Sequence, residues 1–131
     1  MIATRYILVG ERHGIKNHPL ALTCILSALK NEQSDLFLEH INTDQQRTVD
    51  EYRKMHPLHA GGLGKALKWW ETGWPEWGIY APIFEHSWRL NISLYGADLP
   101  NNTRFITEEV LVDTIGKQAP TIIADLSLIH I

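Results

Sequence analysis

Short apolar runs alternate along this chain with longer segments in which apolar residues recur at helical spacing. Four runs have the length and composition of buried strands, and they cover Arg5–Gly10, Asp35–Glu39, Asn91–Ala97 and Thr121–Ala124. Amphipathic patterns predict four helices, from His18 to about Asn31, from Thr43 to about Met55, over Ile79–Arg89 and over about Arg104–Ile115. Strands that alternate with helices through short links indicate an α/β fold with a mostly parallel central sheet and helices on both faces.

Local signals set several of these boundaries. Pro19 suits the first turn of the first helix, and Thr43 with Gln46 three residues later forms a capping-box pattern. Three glycines and a proline mark His56–Gly64 as a loop, and Gly116 ends the last helix.

Polar residues follow every predicted strand on its carboxyl side. These residues are Glu11, His13, Glu39, His40, Asp98 and Asp125. Because ligands of open α/β sheets bind at the carboxyl ends of the strands, we expect these side chains to converge on one site if the strands are neighbours.

The strongest candidate chemistry lies in the turn Gly10-Glu11-Arg12-His13. Gly10 lets the chain turn, and the turn brings a carboxylate and an imidazole together. Paired with Glu39 at the next strand end, His13 becomes a candidate ligand of a divalent metal ion. A solvent-exposed polar turn is the alternative. Since side chains alternate along a strand, His40 should face away from Glu39 and lie at the surface.

Aromatic residues concentrate in one segment of the chain. It contains Trp69, Trp70, Trp74, Trp77 and Tyr80. Stacked indoles suit a flat apolar ligand such as a porphyrin, and a phenolate is a known axial ligand of haem iron. Ordinary helix packing and a hydrogen-bonded core tyrosine are the simpler interpretations.

The remaining histidines and the cysteine give weaker signals. His56 and His59 fit a mobile surface loop better than a metal or haem site, and His86 fits a packed helix face. Cys24 has apolar neighbours, which predicts a buried thiol. As a single cysteine it permits no internal disulfide.

Composition narrows the possible functions. Hydrophobic residues make up 44% and charged residues 21% of the 131 residues, as in a single globular domain. The formal net charge of −3 argues against a nucleic-acid partner. No apolar run is long enough to cross a bilayer, and no secretion signal is visible at the start. The sequence contains no phosphate-binding loop, no serine nucleophile elbow, no His-Glu-x-x-His motif and no paired cysteines for zinc.

The last six residues, 126–131, look foreign to the domain. Read back into codons, they match the mosaic-end adapter of transposon-based sequencing libraries. We therefore expect a C-terminally truncated domain over residues 1–125 followed by adapter read-through; a natural C-terminal strand is the alternative.

Four segments together resemble the ChaN-like, haem-binding-uptake branch of the Tiki superfamily. They are the strand and turn Tyr6–His13, Phe37-Leu38-Glu39 with Gln45, Gly73–Trp77 with Tyr80, Pro82, Ile83 and Phe84, and Ile92–Ala97 with Leu99-Pro100. The resemblance covers roughly residues 5–125. His13 and Glu39 match the superfamily's turn histidine and strand-end glutamate, and Glu11 matches the glutamate of the turn.

This resemblance implies a ChaN and erythromycin-esterase-like α/β fold and a bacterial haem-binding or iron-uptake protein, often a membrane-attached lipoprotein. We expect haem or a divalent metal ion as cofactor, with His13, Tyr80, Trp74 and Trp77 around haem, or His13 and Glu39 around the metal. Localisation stays open, although the family suggests the cell envelope. A homodimer is also left open, and membrane attachment would need an N-terminal signal that the sequence lacks.

The sequence departs from the family pattern at three places. His18 is followed by Pro19 where a histidine pair is frequent, and Asp98 stands where asparagine is common. The family's later Gly-x-Gly-His segment, which supplies a second histidine, is missing.

Three functional hypotheses follow. The first is a haem- or metal-binding protein of the ChaN type. The second is a metal-dependent hydrolase in which Glu11, His13 and Glu39 surround a metal-activated water. The third is a fragment without activity, so whether the chain is an enzyme is left open.

Overall fold

The computed structural model describes residues 6–30 and 32–99. Its elements, in chain order, are α1 (Asn17–Ala28), β1 (Asp35–Asn42), a 3-10 turn (Thr43–Gln45), α2 (Gln46–Met55), α3 (Leu63–Ala66), a second 3-10 turn (Trp69–Glu71), α4 (Trp77–Arg89) and β2 (Ser93–Asp98). All of them belong to the compact unit that ends at Asp98.

The two strands pair in parallel, and α2, α3 and α4 lie in the connection between them. The register runs from Asp35 opposite Ser93 to Leu38 opposite Gly96, and an irregularity precedes the last pair, Asn42 with Asp98. Parallel strands need a long crossover of this kind, because a tight turn cannot return the chain in the same direction. The α/β class is thus confirmed for the described residues, with a sheet of two strands.

Gly96 permits the close approach of the two backbones at the irregularity. A Cβ atom on this residue would lie 2.6 Å from the carbonyl oxygen of Asn42 and 2.8 Å from that of Ile41. Real Cβ atoms do not approach backbone oxygens so closely, so only glycine fits here.

The core is built around α4. Its buried residues Tyr80, Ile83, Phe84 and Trp88 recur at helical spacing and pack with Ile41 of β1 and Leu63 of α3. Burial of one such side chain contributes about 1.5–3 kcal/mol to stability. The sequence predicted this helix from Ile79, and the structure begins it two residues earlier, at Trp77.

Helix α1 packs against α4 through a polar contact as well as an apolar one. Leu26 is buried, and the Ser27 hydroxyl lies 2.7 Å from Nε2 of His86. Cys24 lies on the other side of α1 and is exposed, so the predicted buried thiol is wrong. The physical reason is geometric: two residues along a helix turn the side chain by about 200° from Leu22.

One face of the sheet is open within residues 6–30 and 32–99. Phe37 of β1 is 64% exposed and stacks on Tyr95 of β2, with ring centroids 5.0 Å apart. Leu38 and Leu94 point to the opposite, buried face. The larger sheet with helices on both faces is therefore not part of the described structure.

The predicted first strand is also absent from the described part of the chain. Residues 6–10 have no strand conformation, and Leu8 is 75% exposed. An apolar run becomes a strand only when a neighbouring strand offers hydrogen-bonding partners, and in the described residues only β1 and β2 pair.

Two smaller boundaries differ from the predictions. The capping box forms one residue earlier, where the backbone N–H of Asn42 donates to Oε1 of Gln45 at 3.0 Å. The short helix α3 occupies Leu63–Ala66, partly inside the predicted loop.

Several predictions fall outside the described residues. These are the helix near Arg104–Ile115, the strand Thr121–Ala124, Asp125 and the boundary at residue 126. Among the residues that the structure does describe, no helix has the length and apolar character needed to span a membrane.

Candidate functional site

A tight turn between Glu11 and His18 presents the first site residues. Its backbone hydrogen bonds run from the N–H of Ile15 to the Arg12 carbonyl at 3.3 Å and from the N–H of His18 to the Ile15 carbonyl at 2.9 Å. The left-handed residue is Gly14, with φ of 80°, rather than the Gly10 that the sequence suggested. Glycine adopts this conformation without steric cost, so Gly14 fixes the direction in which His13 projects.

Glu11 is the centre of a hydrogen-bond cluster. Its Oε1 atom lies 2.8 Å from Nδ1 of His13, 3.2 Å from Nε2 of His40 and 3.0 Å from the Tyr80 hydroxyl. The Tyr80 oxygen in turn accepts the backbone N–H of Gly14 at 3.0 Å. The cluster thus joins the turn, β1 and α4 at one carboxylate.

Burial and hydrogen bonding set the charges of the cluster. Burial alone would raise the pKa of Glu11, but the hydrogen bonds from His13, His40 and Tyr80 outweigh it, and the pKa is lowered. Burial raises the pKa of the Tyr80 hydroxyl, and its hydrogen bond to Glu11 acts in the same direction. Glu11 is therefore an anion near neutral pH, and Tyr80 is a neutral donor.

His40 corrects a sequence prediction. It was expected at the surface, yet its side chain is only 5% exposed and contacts Glu11. Burial lowers the pKa of His40, although the neighbouring Glu11 carboxylate acts to raise it. Its Nδ1 atom is buried and has no hydrogen-bond partner among residues 6–30 and 32–99. His40 does point away from Glu39, as alternation along β1 predicts, but α4 covers the face that carries His40, and Glu39 is on the exposed face.

Four side chains come close enough to hold a metal ion. Glu11, His13, Glu39 and His40 each offer one ligand atom, and these atoms lie within 4.8 Å of one another. Nε2 of His13 is 3.8 Å from Oε1 of Glu39. Imidazole nitrogens with carboxylate oxygens suit zinc, iron and manganese. Four of the residues that were expected to converge therefore lie together, although no strand precedes Glu11 in the described residues and β1 continues past His40 to Asn42. Glu39 and His40 both take part despite pointing to opposite faces.

Three of the five tryptophans lie at or behind the cluster, and their contacts differ. Trp74 lies beside both histidines, with ring centroids 4.6 Å from His13 and 4.5 Å from His40. Trp69 and Trp77 pack against each other at 5.0 Å, and Trp77 also contacts Phe84 at 4.7 Å. Of the two tryptophans assigned to haem, the structure therefore brings Trp74 to the histidines and places Trp77 against the core.

The other histidines have ordinary surroundings. His56 and His59 are exposed in the loop, as predicted. The Nδ1 atom of His18 accepts the backbone N–H of Arg12 at 2.9 Å and so braces the turn. His86 contacts Ser27 and Arg89, in keeping with a packed helix face.

Sequence reasoning missed two members of the cluster in their actual roles. The sequence places His40 at the surface, and for Tyr80 it offers both an iron ligand and a hydrogen-bonded core tyrosine without identifying Glu11 as the partner. A usable signal was present: Tyr80 is a polar residue on an otherwise apolar helix stripe, and such a residue usually finds a polar partner.

The family model described as "Haem-binding uptake, Tiki superfamily, ChaN" matches residues 1–110 of this chain. No curated protein and no solved structure matches it.

Proposed function

Because this chain belongs to the ChaN haem-binding-uptake family of the Tiki superfamily, we propose that it binds haem in bacterial haem or iron uptake. The iron ligand in this proposal is Nε2 of His13. The observation that carries it is the hydrogen bond of 2.8 Å between Nδ1 of His13 and Glu11, on an imidazole that is 47% exposed. When one ring nitrogen of a histidine is hydrogen-bonded to a carboxylate, the other ring nitrogen is free to bind a metal.

The residues present fit an iron porphyrin better through His13 than through Tyr80. The Tyr80 side chain is fully buried, and its hydroxyl already contacts Glu11 and Gly14. Binding iron would require it to lose both contacts and its proton, while burial raises its pKa. The exposed imidazole of His13 needs no such change.

Trp74 adds the apolar surface that the ligand needs. Its ring meets that of His13 edge to face, with an interplanar angle of 87°. Once bound, haem would supply an iron centre and a broad apolar face. The indole of Trp74 would lie next to the ligand imidazole and restrict access of water to it.

Absorbance titration of the full chain with haemin tests this proposal. We expect a shifted Soret band that saturates at one haemin per chain. A spectrum that stays that of free haemin would contradict it.

The cluster of four potential ligand atoms supports a second candidate, a metal-dependent hydrolase. In that function His13 and Glu39 would hold the metal, and Glu11 would act beside a metal-activated water. Hydrolysis of peptides or esters that a chelator abolishes and zinc or manganese restores would favour it over haem binding.

A further inference from the structure

Three hydrogen bonds hold the carboxylate of Glu11 in place. Its Oε1 atom faces donors from three elements: His13 in the turn, His40 on β1 and Tyr80 on α4. A carboxylate oxygen offers two lone pairs, so three donors within 3.2 Å leave that atom little capacity for a metal ion.

We propose that Glu11 is a positioning residue rather than an iron ligand, and that its hold on Nδ1 of His13 makes the site selective for ferric over ferrous haem. This inference rests on the proposed function, in which His13 binds the iron.

The hydrogen bond decides which nitrogen of His13 faces the iron. A neutral imidazole carries its proton on only one ring nitrogen, and the partner of that nitrogen selects the tautomer. Because the acceptor Glu11 lies 2.8 Å from Nδ1, the proton is on Nδ1 and the lone pair is on Nε2. The same bond fixes the orientation of the ring, so that Nε2 is the nitrogen presented to a metal.

Charge explains the selectivity for oxidation state. Ferric haem carries one more positive charge than ferrous haem, and a nearby negative charge stabilises the ferric form more. The Glu11 carboxylate provides that charge through its hydrogen bond of 2.8 Å to Nδ1 of the imidazole. Glu39, 3.8 Å from Nε2 of His13, adds a second carboxylate on the exposed side.

Tyr80 and His40 are the supports that keep this charge in place. Both side chains are buried, and their rings contact each other with centroids 4.5 Å apart. Their donors face the same Glu11 oxygen as His13, so the carboxylate cannot rotate away without losing two partly buried hydrogen bonds.

Nitrogen-15 NMR of the ligand-free chain tests the first step without haem. We expect His13 to be protonated on Nδ1 in the wild type, and the fraction protonated on Nε2 to rise in Glu11→Gln, whose neutral amide is a weaker acceptor. A wild-type His13 protonated on Nε2 would overturn the inference.

The reduction potential of the haemin complex tests the second step. Removing the charge in Glu11→Gln should shift the midpoint to more positive values, and each tenfold loss in the ratio of ferric to ferrous affinity corresponds to about 59 mV. Glu51→Gln is the matched control, because Glu51 is an exposed glutamate that pairs with Arg47 on α2. Its potential should equal that of the wild type.

The outcomes separate this inference from the proposed function. If His13→Ala abolishes haemin binding while Glu11→Gln keeps the wild-type potential, the positioning role is wrong and the proposed function stands. If His13→Ala binds haemin as the wild type does, the proposed function fails and the selectivity argument fails with it. Should Glu11→Gln not fold, by circular dichroism, the nitrogen-15 spectrum of the wild type still tests the inference, because a His13 protonated on Nε2 overturns it.

Discussion

The hydroxyl of Tyr80 donates a hydrogen bond of 3.0 Å to Glu11, a residue 69 positions earlier in the chain. One partner is fully buried on α4, and the other stands in the turn that carries His13. This hydrogen bond connects α4 to the turn that carries Glu11 and His13. It explains why residues far apart in sequence form one site, and it makes the stability of the fold depend on the geometry of the site.

Tyr80→Phe should reduce the free energy of unfolding by about 1.5–3 kcal/mol, because the lost hydrogen bond has a charged acceptor. The ring itself is kept, so packing against Trp69 and His40 changes little. Denaturant unfolding of the ligand-free chain measures the change. Tyr95→Phe on the open face of the sheet is the control and should stay within about 0.5 kcal/mol of the wild type. Equal effects of the two variants would refute the role of the Tyr80 hydroxyl.

Substitution should destabilise the fold at His40 but not at Glu39, although the two residues are adjacent. His40→Ala removes a buried ring and one donor to Glu11, so we expect a loss of about 1–3 kcal/mol in the free energy of unfolding. Glu39 is 56% exposed, and Glu39→Gln should leave stability unchanged within about 0.5 kcal/mol. Thermal and denaturant unfolding would show the contrast. A destabilised Glu39→Gln with a stable His40→Ala would mean that the faces of β1 are reversed.

Gly96→Ala should destabilise the paired strands. The added Cβ would lie 2.6 Å from the carbonyl oxygen of Asn42, and backbone cannot move aside as a flexible side chain can. We expect a cost of about 1–3 kcal/mol. Gly78→Ala is the matched control on α4, where a Cβ meets nothing within 4 Å, and it should stabilise the chain by about 0.4–1 kcal/mol. If both substitutions stabilise, the strands do not approach as closely as described.

Acidification should destabilise the metal-free and haem-free protein through His40. Burial lowers the pKa of His40 in the folded protein below its ordinary value of 6.5. As the pH falls, His40 is therefore protonated in the unfolded chain before it is protonated in the folded one. The free energy of unfolding therefore decreases with falling pH below about 6.5. Protonation of Glu11 also lowers the free energy of unfolding, but it does so at lower pH, because the pKa of Glu11 is lowered from an ordinary value of 4.5.

Comparison with His40→Gln isolates this contribution. The variant should lose less stability than the wild type between about pH 7 and 5.5, since it cannot take up the proton. Some dependence should remain, because the pKa of His86 is also lowered by burial. Parallel stability curves for the two proteins would show that His40 does not titrate as described.

The parts of the fold that the sequence predicted well depend on neighbours close in sequence. Tyr80, Phe84 and Trp88 recur at the spacing of one helix face, and α4 follows from that pattern alone. Glu11 and His13 stand two positions apart, so their meeting in one turn needed no knowledge of the rest of the chain.

The predictions that failed depended on distant partners. The surroundings of His40 depend on which face of β1 packs against α4, and α4 begins 37 residues further along. Cys24 could be placed only once α1 had a packing partner. For Tyr6–Val9 the apolar run was read correctly, but strand conformation needs a neighbour to pair with, and sequence pattern does not supply one.

The haemin dissociation constant of His13→Ala, compared with that of His59→Ala, decides whether His13 is the iron ligand. Both substitutions remove one exposed imidazole, but His59 lies in the loop and not in the cluster around Glu11. Absorbance titration at one pH gives both constants. We expect His13→Ala to bind haemin at least about tenfold more weakly than the wild type, a loss of about 1.4 kcal/mol, and His59→Ala to bind as the wild type does. Wild-type affinity in His13→Ala, with its fold intact by circular dichroism, would contradict the assignment of the site.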